Sequence, residues 1–87
     1  MSENQTVQDM DTLRHMLGAT SDIKQRDWGY RNRFSARNGH KSMPSLLRLR
    51  AGGLVVGDPE AGWWRATHEG CNAIGLTAKQ IKRAMEP

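Results

Sequence analysis

The chain has 87 residues, 37% hydrophobic and 25% charged, with a formal net charge of +4, a composition that fits one small folded domain with a modest core. No apolar run approaches the roughly 18 to 20 residues needed to cross a bilayer, which excludes a membrane-spanning role, and the polar, acidic start MSENQTVQDMD is not a secretory signal. One cysteine, Cys71, cannot form an internal disulfide, so the expected compartment is reducing and cytoplasmic.

In chain order, residues 1–8 read as a loose leader, and residues 9–87 as a single domain. Asp9 or Thr6 can cap a helix running through about Leu17, with Met10, Leu13, Met16 and Leu17 on one face. Asp9 and Asp11 sit in its first turn, where negative charge suits the helix dipole, and Gly18 closes it. Ala19 to Asp27 is a polar connection. Trp28-Gly29-Tyr30-Arg31-Asn32-Arg33-Phe34 admits two readings. Its aromatics partly alternate with arginines, as in a strand, but Tyr30, Arg33 and Phe34 would also share a side of a short helix from Tyr30 to Ala36. Aromatics interleaved with cations can stack bases; the plainer reading gives them to the core of a domain with only five aromatics.

Charge is unevenly placed. Residues 1–22 carry one Arg against four acids, residues 23–56 carry eight Lys and Arg against Asp27 alone, and the remainder balances. A localised basic block is the footprint expected of phosphate contact, although solvated arginines on a small basic protein often bind nothing.

Arg37-Asn38-Gly39-His40-Lys41 is a turn, with Asn-Gly supplying positive φ. Ser42 is placed to cap the next helix and Pro44 suits its first turn. Leu46, Leu47 and Leu49 form an apolar side, and Gly52-Gly53 ends the helix. At about 100° per residue, Arg48 and Ser45 fall away from Leu46 and are expected to be accessible. Arg50 falls on the apolar side, where its stem packs and its head must find a partner. Leu54-Val55-Val56 is β-prone. Gly57 to Gly62 reads as a loop, and Trp63 to Ala66 as a returning strand whose two tryptophans face opposite sides. Thr67 opens a helix through Cys71 to Gly75, and Thr77 caps a last helix over 78–86, with Ile81, Ala84 and Met85 as its apolar side.

The segment from Ser42 to Gly75, with Leu46, Leu49, Leu54 and Val55, a short tip, Trp64, then Thr67 and Gly70, resembles the second half of a winged helix-turn-helix domain of the MarR-like and PadR-like kind. The resemblance implies an α+β fold, mainly α with a small β-hairpin. It makes the helix after Ser42 a recognition helix, the hairpin a wing and Trp64 the inward tryptophan. The winged order also requires a helix before residue 43, which favours a helix beginning near Asp27. The set LRHMLGA, YRNRF and LLRLRAGGLV is similar in order and spacing to small proteins encoded by phages and prophages, implying a viral origin and a host-cell cytoplasmic location.

The function expected from these features is duplex-DNA binding. Arg37, Lys41, Ser45 and Arg48 would contact the duplex, with Arg31 and Arg33 on phosphates. Ser45 and Arg48 are a thin set for base reading, and the tip residues Asp58 and Glu60 would be repelled by phosphate. Those two points favour an alternative, a protein-binding adaptor or inhibitor of a host complex anchored by Trp63, since tryptophan is enriched at interface centres. In architectures related by the resemblance a terminal helix often mediates dimerisation, so the last helix is expected either to pair two copies or, at least equally, to pack on its own small core. No enzyme is expected: the acids form no pair, Gly52-Gly53 lacks a nucleotide-loop context, and His68-x-x-Cys71 with His40 lacks the second close pair of a zinc site. No cofactor or metal is therefore expected.

Overall fold

The computed structural model describes residues 6–86. Helix α1 (Val7–Leu17) is followed by a 3-10 turn (Gln25–Asp27), strand β1 (Phe34–Ser35), helix α2 (Met43–Ala51), strands β2 (Val55–Asp58) and β3 (Trp63–Ala66), and helices α3 (His68–Ala73) and α4 (Ala78–Met85). The three strands form one antiparallel sheet in the order β1-β3-β2. This is a small α+β domain, as expected.

Thr6 starts α1. Its hydroxyl accepts from the Asp9 N–H while the Asp9 carboxylate accepts from the Thr6 N–H, a reciprocal capping box. Val7 and Gln8 thus belong to the helix and not to a leader, and the first five residues of the expected leader lie outside the described residues. Leu13, Met16 and Leu17 are buried as the periodicity predicts, with Met10 packed against them. Asp9 stands in the first turn as expected, but it lies on the same face as the apolar residues and is fully buried.

Its partner is Arg48. The guanidinium donates from Nε to Oδ2 and from Nη2 to Oδ1, both at 2.8 Å, and joins α1 to α2. Two parallel charge-assisted bonds are the strongest geometry an arginine and a carboxylate can adopt. The Arg48 guanidinium, helped by Ser45 and Thr6, holds the Asp9 carboxyl far below the usual carboxylate range, against the opposing effect of burial. Ser45 is buried beside the pair.

No helix begins near Asp27. After the 3-10 turn the chain runs irregularly to β1, because its donors go to the end of α1. The Gly29 N–H donates to the Leu17 carbonyl at 3.0 Å, the Arg33 N–H to Met16 at 3.2 Å, and Arg31 to His15 through Nε and Nη2. The last carbonyls of a helix have no partner within it, and this segment supplies partners. Asn32 then acts as a strand residue with its side chain: Nδ2 donates to the Ala66 carbonyl at 3.1 Å and Oδ1 accepts from the Ala66 N–H at 2.7 Å. The β1–β3 ladder, with Phe34 opposite Trp64 and Ser35 opposite Trp63, is thereby lengthened.

The start of α2 is capped differently from expectation. The Ser42 side chain makes no capping bond; its N–H donates to His40 Nδ1 at 3.0 Å instead. Leu46 and Leu49 are buried, whereas Leu47 is 40% exposed. Strand β2 extends through Gly57 and Asp58, which the sequence assigns to the loop, since an edge strand tolerates both. Asp58 shapes the tip by accepting from the Glu60 N–H at 2.9 Å. Trp64 is buried and bonds the Ala36 carbonyl through Nε1 at 2.9 Å, while Trp63 faces out. Gly57 pairs with Trp64, and a Cβ there would lie 2.3 Å from the Trp64 ring. Arg50 lies nearby, donating to the Gly57 carbonyl at 3.2 Å with its guanidinium carbon 5.7 Å from the Trp64 ring centre, so its head does find a partner. Thr67 and Thr77 cap α3 and α4 as expected; α3 stops at Ala73 rather than Gly75.

Gly57→Ala drives a methyl into a buried indole with no room to yield and should cost about 1–3 kcal/mol, read from urea unfolding; an unchanged midpoint would refute the packing. Asp9→Ala removes a cap and a bonded carboxylate, at about 1–3 kcal/mol. Arg48→Met should lower the melting temperature further than Asp9→Ala, because it strands a buried carboxylate. The folded carboxyl titrates below its unfolded value of about 3.9, so the stability it contributes is complete well above that value and is lost as the pH falls through it toward the lower folded value; the acid limb should flatten in Asp9→Ala.

Candidate nucleic-acid interface

The basic block separates into engaged and unengaged cations. Arg48 is held by Asp9, and Arg31 closes the end of α1. Ser45, expected to be accessible, is 2% exposed. The two expectations for α2 therefore part: Ser45 is drawn in beside the buried Asp9, whereas Arg48, 41% exposed along its side chain, stays accessible but is held by the carboxylate. What α2 presents to solvent is Pro44, Leu47, Arg50 and Ala51 with the flank of Arg48; Arg50 donates to the Gly57 carbonyl, and Pro44, Leu47 and Ala51 carry no side-chain donor for a base edge. Arg33, Arg37 and Lys41 are exposed and make no side-chain hydrogen bond or ion pair among the described residues. The Arg37 stem lies over Gly62 at the hairpin tip, apart from the other two.

Arg33 and Lys41 border a continuous groove between the outer flank of α1 and the 30–42 segment. It consists of two depressions of about 720 and 480 Å³ that share His15, Phe34 and Ser35. Tyr30, Arg31 and Arg33 line the larger, His40 and Lys41 the smaller. Phe34 is half-buried between two imidazoles, edge-on to His15 at 6.2 Å and to His40 at 5.8 Å. Because His40 Nδ1 accepts from Ser42, the neutral ring carries its proton on Nε2. Tyr30 is 49% exposed. Its ring is seated against Gly18, where a Cβ would lie 2.3 Å from Cε1, and the Arg31 guanidinium carbon is 5.5 Å from the ring centre. Two acids border the groove. Asp11 is paired with Arg14 at 3.0 Å, and Glu86 stands at the far end.

Sequence reasoning nominated Arg31, Arg33 and Lys41 but did not join them to His15 and His40. The signal for that grouping was the YRNRF interleaving, whose meaning depends on where α1 ends. Elsewhere, the hairpin tip is acidic, and Trp63, 51% exposed, shares the outer sheet face with Val56 and Arg65. Cys71 is buried, and burial pushes its thiol pKa up, opposite to the direction a nucleophile needs. His68 is exposed and contacts Asn72 at 3.3 Å. Among the described residues no three His, Cys, Asp or Glu side chains gather as a metal site, and no helix is long and apolar enough to cross a membrane.

No protein-family model matches this chain, and no curated protein or solved structure matches it significantly.

Proposed function

We propose that this chain binds DNA through backbone phosphates, using Arg33 and Lys41 along the groove and Arg37 at the hairpin tip. The observation that carries this reading is that three cations of the block stand exposed without acidic partners, two of them along a concave surface. Phosphate contact needs positive charge in reach and little else, whereas base reading needs paired donors and acceptors on an element that enters a groove. The fold reading that accompanies it is a winged helix in which α2 is structural. The strand order and the hairpin support that reading, and the absence of a helix between β1 and α2 departs from the helix-turn-helix pattern.

A second reading, a protein-binding module, is favoured by Trp63 and Val56, which stand exposed together on the outer sheet face above an acidic tip. Its test is a pull-down in which Trp63→Ala loses the captured partner, and a homodimer is tested by light scattering with and without DNA.

Duplex binding by fluorescence anisotropy should weaken with salt at a log–log slope of about −3 for three phosphate contacts. Arg33→Ala and Lys41→Ala should each reduce the slope by about 1 without lowering the melting temperature. No binding of any DNA at low salt, or slopes unchanged in both variants, would remove the proposal.

A further inference from the structure

We infer that the groove between Tyr30 and Phe34 receives unstacked bases, so that the preferred ligand is single-stranded DNA. The inference rests on the DNA-binding reading above and names the form of DNA that suits this site.

The larger depression combines two kinds of surface. Tyr30 and Phe34 provide aromatic area, and Arg31 and Arg33 stand between them in sequence and line the same space. A base offers a flat face and its phosphate a charge, so a single strand satisfies both at a repeat of one nucleotide. Duplex DNA satisfies only the second, because its base faces are already covered by their neighbours. The volume of about 720 Å³ lies within the range of about 300–1,000 Å³ that small organic ligands occupy, enough for a nucleotide and unnecessary for phosphate contact alone.

The rings are also held before any ligand arrives. Tyr30 rests on the backbone of Gly18, where any side chain would displace it. Phe34 is fixed by strand pairing with Trp64 and by the imidazoles of His15 and His40. The smaller depression continues past Phe34 to Lys41, which gives the next phosphate a cation.

The test uses the full chain with a short oligothymidine and a hairpin duplex, both dye-labelled, in the same buffer at low salt. The single strand should bind about tenfold more tightly than the duplex. Tyr30→Ala should weaken the single strand about tenfold and leave the duplex unchanged, while Tyr30→Phe, which keeps the ring, should retain single-strand affinity. Melting temperatures within a few degrees of the parent show that the exposed Tyr30 was removed without unfolding; Phe34→Leu provides a second truncation with the same expected selectivity. Equal binding of both forms with no effect of Tyr30→Ala would overturn this inference and leave phosphate contact standing, as would tighter binding of the duplex. Failure of both forms to bind would overturn the DNA-binding reading itself.

Discussion

The buried carboxylate of Asp9 constrains more of this molecule than any apolar residue does. A charge removed from water must be matched by strong, well-aligned donors, and here they come from Arg48 and from the cap at Thr6. The match fixes the rotation of α2 about its own axis. With Arg48 held by Asp9 and Ser45 buried, the exposed residues of α2 are Pro44, Leu47, Arg50 and Ala51, and Arg50 is engaged by the Gly57 carbonyl. Within the basic block, the cations without an intramolecular partner among the described residues stand on the segment that precedes α2.

That segment is shaped by a second demand, the unpaired carbonyls at the end of α1. Gly29, Arg31 and Arg33 reach Leu17, His15 and Met16 in turn. The backbone from 28 to 33 therefore follows the helix end and adopts no period of its own. One consequence is that Tyr30 and Arg33 emerge together beside Phe34 instead of being divided between two faces, as a regular strand would divide them. Asn32, between them, is turned to the sheet and closes the ladder against Ala66.

Local chemistry was legible from the sequence where it depends on neighbours in the chain. The apolar face of α1, the threonine caps of α3 and α4 and the hairpin follow from spacing or from a pattern within a few residues, whereas the alternation of Trp63 and Trp64 alone left open which faces inward, and only the winged-helix resemblance pointed to Trp64. The errors share a cause. Arg48 looked like a free cation and Ser45 like an accessible hydroxyl, because helical angles describe one helix at a time; Asp9 does stand in the first turn, but its burial and its partner were not visible there. Their roles depend on a contact across 39 positions of chain. The helix expected near Asp27 failed for the same reason, since its donors were claimed by carbonyls far back in sequence. Net charge misled in a related way: Arg31, Arg48 and Arg50 counted toward the basic block but each has an intramolecular acceptor.

The two functional readings meet at β1. Ser35 lies in the floor of the groove and pairs with Trp63 on the adjacent strand. Cross-strand partners project from the same face, so the exposed tryptophan stands one strand away from the proposed DNA groove. A protein partner centred on Trp63 and burying about 800 Å² would cover a small part of the 5546 Å² surface, and Ser35 is the residue at which the two proposed surfaces adjoin.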